Sequence, residues 1–232
     1  MSALHLVRLP LNLPGLLRFA AARGVTHGDD GLGYSLHLWL TALFGEQAPK
    51  PFRYFDRNNE VLGYARLDHR DLLDHARAFA PPEAWAALHA DDVASKPMPT
   101  NWQVGRRLRV EVLACPVERH GQEEKDAFLR ALERQGDAAP ARGEVYRAWF
   151  VRRWYDALDF EHVELRGMRS RQTMVRRARN GSVRLLTVER PLALFAAQAS
   201  ISNPQRFAEL LARGIGRHRA FGFGMVLLAP PS

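Results

Sequence analysis

Apolar positions recur along this chain with a period of about two in some stretches and about 3.6 in others. Leu4-His-Leu-Val-Arg-Leu9 is short and apolar-rich and predicts a first strand. Over residues 34–44, Leu36, Trp39, Leu40, Leu43 and Phe44 fall at i, i+3, i+4, i+7 and i+8, which predicts a helix. Asp29 or Asp30 stands near its start, and Gly45 stops it. Pro51-Phe-Arg-Tyr-Phe55 and Val61-Leu-Gly-Tyr-Ala65 flank the turn-forming Asp56-Arg-Asn-Asn59, a hairpin pattern. Residues 68–79 carry Leu72, Leu73, Ala76 and Phe79 at helical spacing. Leu108-Arg-Val-Glu-Val-Leu-Ala-Cys115 then alternates with period two up to Pro116. The order is β-α-β-β-α-β, the ferredoxin-like pattern shared by RNA-recognition domains.

The second half repeats this plan. Residues 120–143 are polar, punctuated by Gly and Pro around a helical stretch at 123–135, and make the best linker. A helix is expected over 145–157, then extended stretches at 160–168 and from 183 toward Ser200. A helix over 203–213 follows, capped by Asn203 or Ser202 with Pro204 at its first position. The run 223–228 closes the chain as a strand. The expected architecture is α+β, two tandem ferredoxin-like domains with antiparallel sheets, divided as residues 1–118 and 119–232.

Composition adds one asymmetry. The chain has 33 Lys plus Arg against 25 Asp plus Glu, a net charge of +8, yet its only lysines are Lys50, Lys96 and Lys125. Arginine's planar donor fork suits phosphate and guanine better than lysine's point charge. The lone Cys115 has no disulfide partner within the chain and reads as a small buried hydrophobe in a reducing compartment. No apolar run reaches transmembrane length, so a cytoplasmic protein with no membrane partner is expected.

The densest local signal is Gly214-Ile-Gly216-Arg-His-Arg-Ala-Phe-Gly222-Phe-Gly224. Glycines at four fixed positions remove every Cβ from a tight loop, so backbone N–H groups can approach a phosphate chain. Arg217, His218 and Arg219, between the glycine pairs, are expected to supply charge to that phosphate chain as RNA-binding residues. A plain helix C-cap at Gly214 explains one or two glycines, not four in this spacing.

Two further clusters carry chemistry. Tyr34, His37 and Thr41 lie on the flank of the apolar stripe of helix 34–44, with phenol and imidazole one turn apart. From the pattern alone, His37 reads as a boundary residue of an amphipathic helix. Seven arginines crowd residues 166–184: Arg166, Arg169, Arg171, Arg176, Arg177, Arg179 and Arg184. Asn180-Gly181 among them is a type I′ hairpin signal. A basic ribbon of this kind suits structured RNA better than it suits a solvated edge, since acids are almost lacking between Glu164 and Glu189. Trp149, Trp154 and Tyr155 read as core. No metal-binding spacing occurs, and neither metal nor other cofactor is expected.

The phrase Leu210-Leu-Ala-Arg-Gly-Ile-Gly-Arg-His-Arg-Ala-Phe-Gly-Phe-Gly-Met225 resembles the glycine-rich loop of the RAMP superfamily, the RNA-binding proteins of CRISPR systems. Within it, the chain resembles the CasE/Cse3 repeat-RNA endonucleases of type I-E Cascade. Pro51-Phe-Arg53, Ser95-Lys-Pro-Met-Pro99 and Gly105-Arg-Arg-Leu-Arg109 agree, so the likeness covers nearly the whole chain. It implies a catalytic histidine in a Tyr-x-x-His setting on the first helix, which falls on Tyr34-Ser-Leu-His37. It also implies that a basic hairpin grips the repeat stem-loop, and that other Cascade-type subunits are partners. Arg169 and Arg171 would then lie near the scissile phosphate. A longer Gly/Asp stretch at 24–33 departs from many members and contains His27, a rival for the catalytic role.

The implied activity is metal-independent RNA cleavage by the ribose 2′-OH, with His37 as general acid or base. Three alternatives stay open: a catalytically silent RAMP scaffold, a type IV or transposon-associated relative, and a generic RNA-recognition protein.

Overall fold

The structure is a computed structural model that describes residues 3–25, 28–177 and 185–231; for residues 28–30, 176 and 177 it describes the backbone alone. His27, Arg179, Asn180, Gly181 and Arg184 lie outside the described residues. Two compact units form. One gathers Met1–Thr100, Thr173–Val188 and Arg219–Gly222; the other gathers Asn101–Gln172, Glu189–His218 and Phe223–Ser232.

In the first unit β1 (His5–Pro10) pairs antiparallel with both β3 (Glu60–Ala65) and β4 (Ala94–Pro97), and β2 (Phe52–Phe55) pairs with β3. The sheet order is β2-β3-β1-β4. Val7 faces Gly63 on one side and Ser95 on the other. Helices α1 (Leu13–Ala21), α2 (Gly28–Phe44), α3 (His69–Phe79) and the short α4 (Pro82–Trp85) complete the unit. Leu9, Phe19, Trp39, Leu43, Phe44, Phe52 and Val61 form its core with the apolar face of α3. The Trp39 indole N–H donates to the Ala84 carbonyl at 3.0 Å, so this large core side chain leaves no donor unmet.

In the second unit the sheet is built from β5 (Arg107–Ala114), β8 (Leu158–Arg177), β9 (Leu185–Ile201) and β10 (Val226–Ala229), in the order β10-β5-β9-β8. The outer ends of β8 and β9 belong to the first unit. β5 pairs antiparallel with β9 from Arg107↔Ser200 to Ala114↔Ala193. A hairpin of β6 (Val117–His120) and β7 (Glu123–Asp126), α5 (Ala127–Gln135) and α6 (Arg142–Arg152) lie between β5 and β8; α7 (Pro204–Arg213) lies between β9 and β10. Trp149, Phe150 and Phe195 stack in its core, Phe150 and Phe195 at a 4.5 Å centroid separation. Numbered along the chain within each sheet, the strands of both read 4-1-3-2. The expected α+β class and repeated ferredoxin-like plan are therefore what the chain folds into.

Several elements differ from expectation. The alternating run 108–115 is the first strand of the second sheet, not the last of the first; that place is taken by β4. Period two reports that a strand has two faces, not which strand it pairs with. Helix α1 was not anticipated. Its Asn12 side chain accepts from the Gly15 N–H, and Pro14 stands in the first turn, so the Tyr-x-x-His helix is the second of the chain. Glu123-Glu-Lys-Asp126 is strand β7 rather than the start of a helix; Asp126 caps α5 by accepting from Phe128 N–H at 2.8 Å. Phe79, expected on the buried stripe of α3, is 75% exposed, and Tyr155, grouped with the core tryptophans, is 61% exposed. Trp149, Trp154 and Cys115 are buried.

Candidate active site

Helix α2 carries Tyr34 and His37 on adjacent turns, with ring centroids 6.3 Å apart. The helix is held from both sides of this pair. Ser35 donates back to the Gly31 carbonyl at 3.0 Å, Thr41 donates to the His37 carbonyl at 2.8 Å, and Trp39 anchors the opposite face. The Tyr34 ring is 6% exposed and packs with Ala20, Val25 and Val175, so the phenol ring is part of a small apolar cluster rather than open to a cleft. His37 is half-buried. Burial holds its imidazole below the ordinary histidine pKa, and the Lys50 charge pushes the same way. At neutral pH the ring is neutral, with a nitrogen lone pair able to accept a proton.

A third ring completes the group. Phe221, in the one-turn 3₁₀ segment Arg219–Phe221, lies 6.0 Å from His37 edge-on and 6.3 Å from Tyr34. Gly33 makes this approach possible. A Cβ there would stand 2.9 Å from the Phe221 carbonyl oxygen, closer than real Cβ contacts come.

The four motif glycines all adopt left-handed backbone, with φ of 80°, 75°, 88° and 75° at Gly214, Gly216, Gly222 and Gly224. Gly216 is doubly constrained, because a Cβ would meet the Trp149 ring at 3.0 Å. The loop is tied down by Ile215 N–H to the Gly224 carbonyl and by Gly224 N–H to the Leu113 carbonyl. Within the second unit, Glu124 on β7 accepts from Arg190 Nε at 2.7 Å, from His218 Nε2 at 2.7 Å, and from Arg217 Nε. His218 itself has left-handed backbone. Burial alone would raise the Glu124 pKa. The hydrogen bonds and charge of His218, then the hydrogen bonds from Arg190 and Arg217, outweigh it and hold the carboxyl well below the carboxylate range. Arg217 and His218 thus share an internal carboxylate.

Glu124 therefore carries stability that is present above its unfolded pKa, ~4.3, and is lost as pH falls through its lower folded value. Glu124→Gln should lower the melting temperature at pH 7, and the deficit should close on acidification below pH ~4. A deficit of equal size at every pH in a calorimetric series would assign it to packing alone.

The sequence-named arginines fall on β8 and near it. Arg166 pairs with Glu164 at 3.1 Å and with Glu111 at 3.7 Å. Arg169 donates to Gln172 at 3.4 Å, and Arg171, with its side chain 78% exposed, pairs loosely with Glu189 at 3.5 Å. Arg176 and Arg177 have their backbone at the end of β8. Tyr34, His37, Arg219 and Gly222 lie in the first unit. Arg166, Arg169, Arg171, Gly214, Gly216, Arg217, His218 and Gly224 lie in the second. Sequence reasoning did not single out Phe221, Gly33, Lys50 or Glu124. Gly33 gave no sign of its close approach, because the helix was expected to start at residue 34 and the structure extends it back to Gly28. Among the described residues no three His, Cys, Asp or Glu side chains gather as a metal site, and no helix is long and apolar enough to cross a membrane.

Two 4-1-3-2 sheets, with a glycine-rich loop that delivers an aromatic ring to a histidine-bearing helix, define a protein of the two-domain ferredoxin-like class. The chain belongs to the CRISPR associated protein family, whose model matches residues 4–230. Its fold is similar to that of the CRISPR endoribonuclease Cse3 bound to a 19 nt RNA, with 18% identity, a TM-score of 0.64 and coverage of 99% of this chain and 100% of that one. It is also similar to the CRISPR-associated protein Cas6e from Escherichia coli K-12, with 16% identity, a TM-score of 0.60 and coverage of 98% and 100%. A chain of a CRISPR RNA-guided surveillance complex, in a pre-nicking state, matches with 18% identity, a TM-score of 0.54 and coverage of 99% and 100%. At these identities the likeness is one of fold. No curated protein matches the sequence.

Proposed function

We propose that this protein is an endoribonuclease that cuts CRISPR precursor RNA within the repeat, beside the stem-loop, and stays bound to the product as a subunit of a Cascade-type complex. The observation that carries this is the half-buried, neutral imidazole of His37, fixed on a rigid helix between Tyr34 and Phe221. Membership of the CRISPR associated family supports it, as do the endoribonuclease and surveillance-complex names of the structures with this fold.

The chemistry needs little from the protein, because RNA carries its own nucleophile. His37 takes the proton from the ribose 2′-OH, the 2′ oxygen forms a bond to the adjacent phosphorus, and the bond from phosphorus to the 5′ oxygen breaks. A proton from solvent or from the imidazolium goes to that oxygen. The products are a 5′-OH and a 2′,3′-cyclic phosphate or the 3′-phosphate from its opening. Tyr34 braces the imidazole from its buried seat, and Arg169 and Arg171 bind phosphates of the RNA. Arg166, Arg176, Arg177, Arg179 and Arg184 hold the stem-loop, and the loop from Gly214 to Gly224, with Arg219, follows the phosphate backbone.

The test is incubation with the repeat RNA of the protein's own locus in EDTA. Cleavage should persist, and the 5′ fragment should end in a cyclic phosphate or 3′-phosphate. Loss of cleavage on chelation, restored by magnesium, would overturn the mechanism. Tight binding without cleavage in either condition would leave a scaffold subunit.

A further inference from the structure

We infer that Phe221 is a positioning residue for His37, the part of the glycine-rich loop that fixes the imidazole in its working orientation. The inference rests on the proposal that His37 moves the proton. Three observations carry it, all within the first unit.

The Phe221 ring lies 6.0 Å from the imidazole at an interplanar angle of 63°, the edge-to-face arrangement that aromatic pairs favour. The same ring lies 6.3 Å from Tyr34, so a single side chain braces both members of the Tyr-x-x-His pair. It also packs against the apolar cluster of Ala20, Val25, Tyr34 and Val175, which gives it a seat independent of His37. A ring that is itself held can hold another.

The second observation is Gly33. A glycine inside a helix is less favourable than an alanine. Here it lies one residue before Tyr34, where any larger residue would strike the Phe221 carbonyl oxygen at 2.9 Å, with the Phe221 Cβ in ordinary contact at 3.5 Å. The glycine gives room to one thing, the turn that carries Phe221.

The third is the backbone beyond. Gly222 has φ of 88°, and a Cβ there would meet the Phe52 ring at 3.6 Å. The chain turns sharply just after Phe221 and leaves its ring pointed at α2. A residue of the phosphate-binding motif thereby sets the geometry of the proton-transfer group. The turn Arg219–Gly222 and the imidazole are mechanically one device within the first unit.

A positioning role separates rate from affinity. Phe221→Leu keeps an apolar side chain of similar size but loses the flat edge. It should slow single-turnover cleavage ~10-fold, since sub-ångström misplacement of a catalytic group is costly, while RNA affinity changes less than ~2-fold. Phe221→Tyr should restore most of the rate, because the ring returns. Gly33→Ala, which displaces the turn without touching any ring, should reproduce the rate defect. In NMR spectra of the RNA-free protein, the His37 ring protons should lose the Phe221 ring-current shift in Phe221→Leu and regain it in Phe221→Tyr. His37→Ala is run alongside. If it cleaves like wild type, the proposed role of His37 fails. If His37→Ala is inactive while Phe221→Leu and Gly33→Ala cleave at the wild-type rate with unmoved His37 resonances, His37 stands and the inference is overturned.

Discussion

His37→Ala should lower the cleavage rate of repeat RNA by at least ~10²-fold, the scale of general acid–base catalysis, with little change in affinity. The imidazole is one half-buried group, and affinity is assigned to the arginines, so its loss removes a proton acceptor and almost no binding surface. The pH profile of the wild type should carry its signature. Burial, and secondarily the Lys50 charge, favour the neutral ring. As a base, His37 is active when neutral, so the rate should rise through an inflection below the ordinary histidine value of ~6.5 and flatten toward neutral pH. Lys50→Gln should move that inflection upward by less than full exposure of the ring would, because burial is the larger cause. A rate that falls across the same range would make His37 the acid instead. A fully active His37→Ala protein would remove it from the chemistry and pass the role to His27 or His218. Of these two, His218 is already bonded to Glu124.

The parts of this protein that were legible in its sequence are those whose physics is local. Helix α7 announces itself through Asn203 or Ser202 as its cap, Pro204 in its first turn and Gly214 at its end; of the two caps, Asn203 is the one whose side chain accepts from the Arg206 N–H. The hairpin of β2 and β3 follows from turn residues between two short apolar runs. Tyr34 and His37 are neighbours because helical geometry makes i and i+3 neighbours.

What the sequence hid is pairing over distance. The run at 107–114 has the alternation of a strand in either sheet, and only β9 and β10 decide its place. Glu123-Glu-Lys-Asp126 has four charged residues and no apolar alternation, and it is a strand because Val117–His120 pairs with it. The Phe221 contact with His37 joins opposite ends of the chain, so no periodicity records it. The same holds for Glu124, an unremarked acid in a polar stretch until the fold brings Arg190, Arg217 and His218 to it.

Replacing the scissile-position ribose by 2′-deoxyribose should abolish cleavage altogether while leaving binding of the repeat hairpin intact. The substitution removes one oxygen from a substrate of many phosphates. The electrostatic contacts that set affinity and its salt dependence therefore remain, and the deoxy RNA should compete with the natural repeat at nearly equal strength. What it removes is the nucleophile itself. A positioned 2′-OH attacks as part of the same molecule, an advantage equivalent to an effective concentration of ~10⁵ M or more, and water delivered by His37 alone has no such advantage. The loss should thus exceed that of His37→Ala, which leaves the nucleophile in place and deprives it only of its base. The two changes should not add, since without the 2′-OH there is no proton for His37 to take. The measurement is single-turnover cleavage with both RNAs and both proteins, with binding followed in parallel. A deoxy substrate cut at the natural rate would mean that water attacks the phosphorus, and His37 would then have to be reassigned to activating that water.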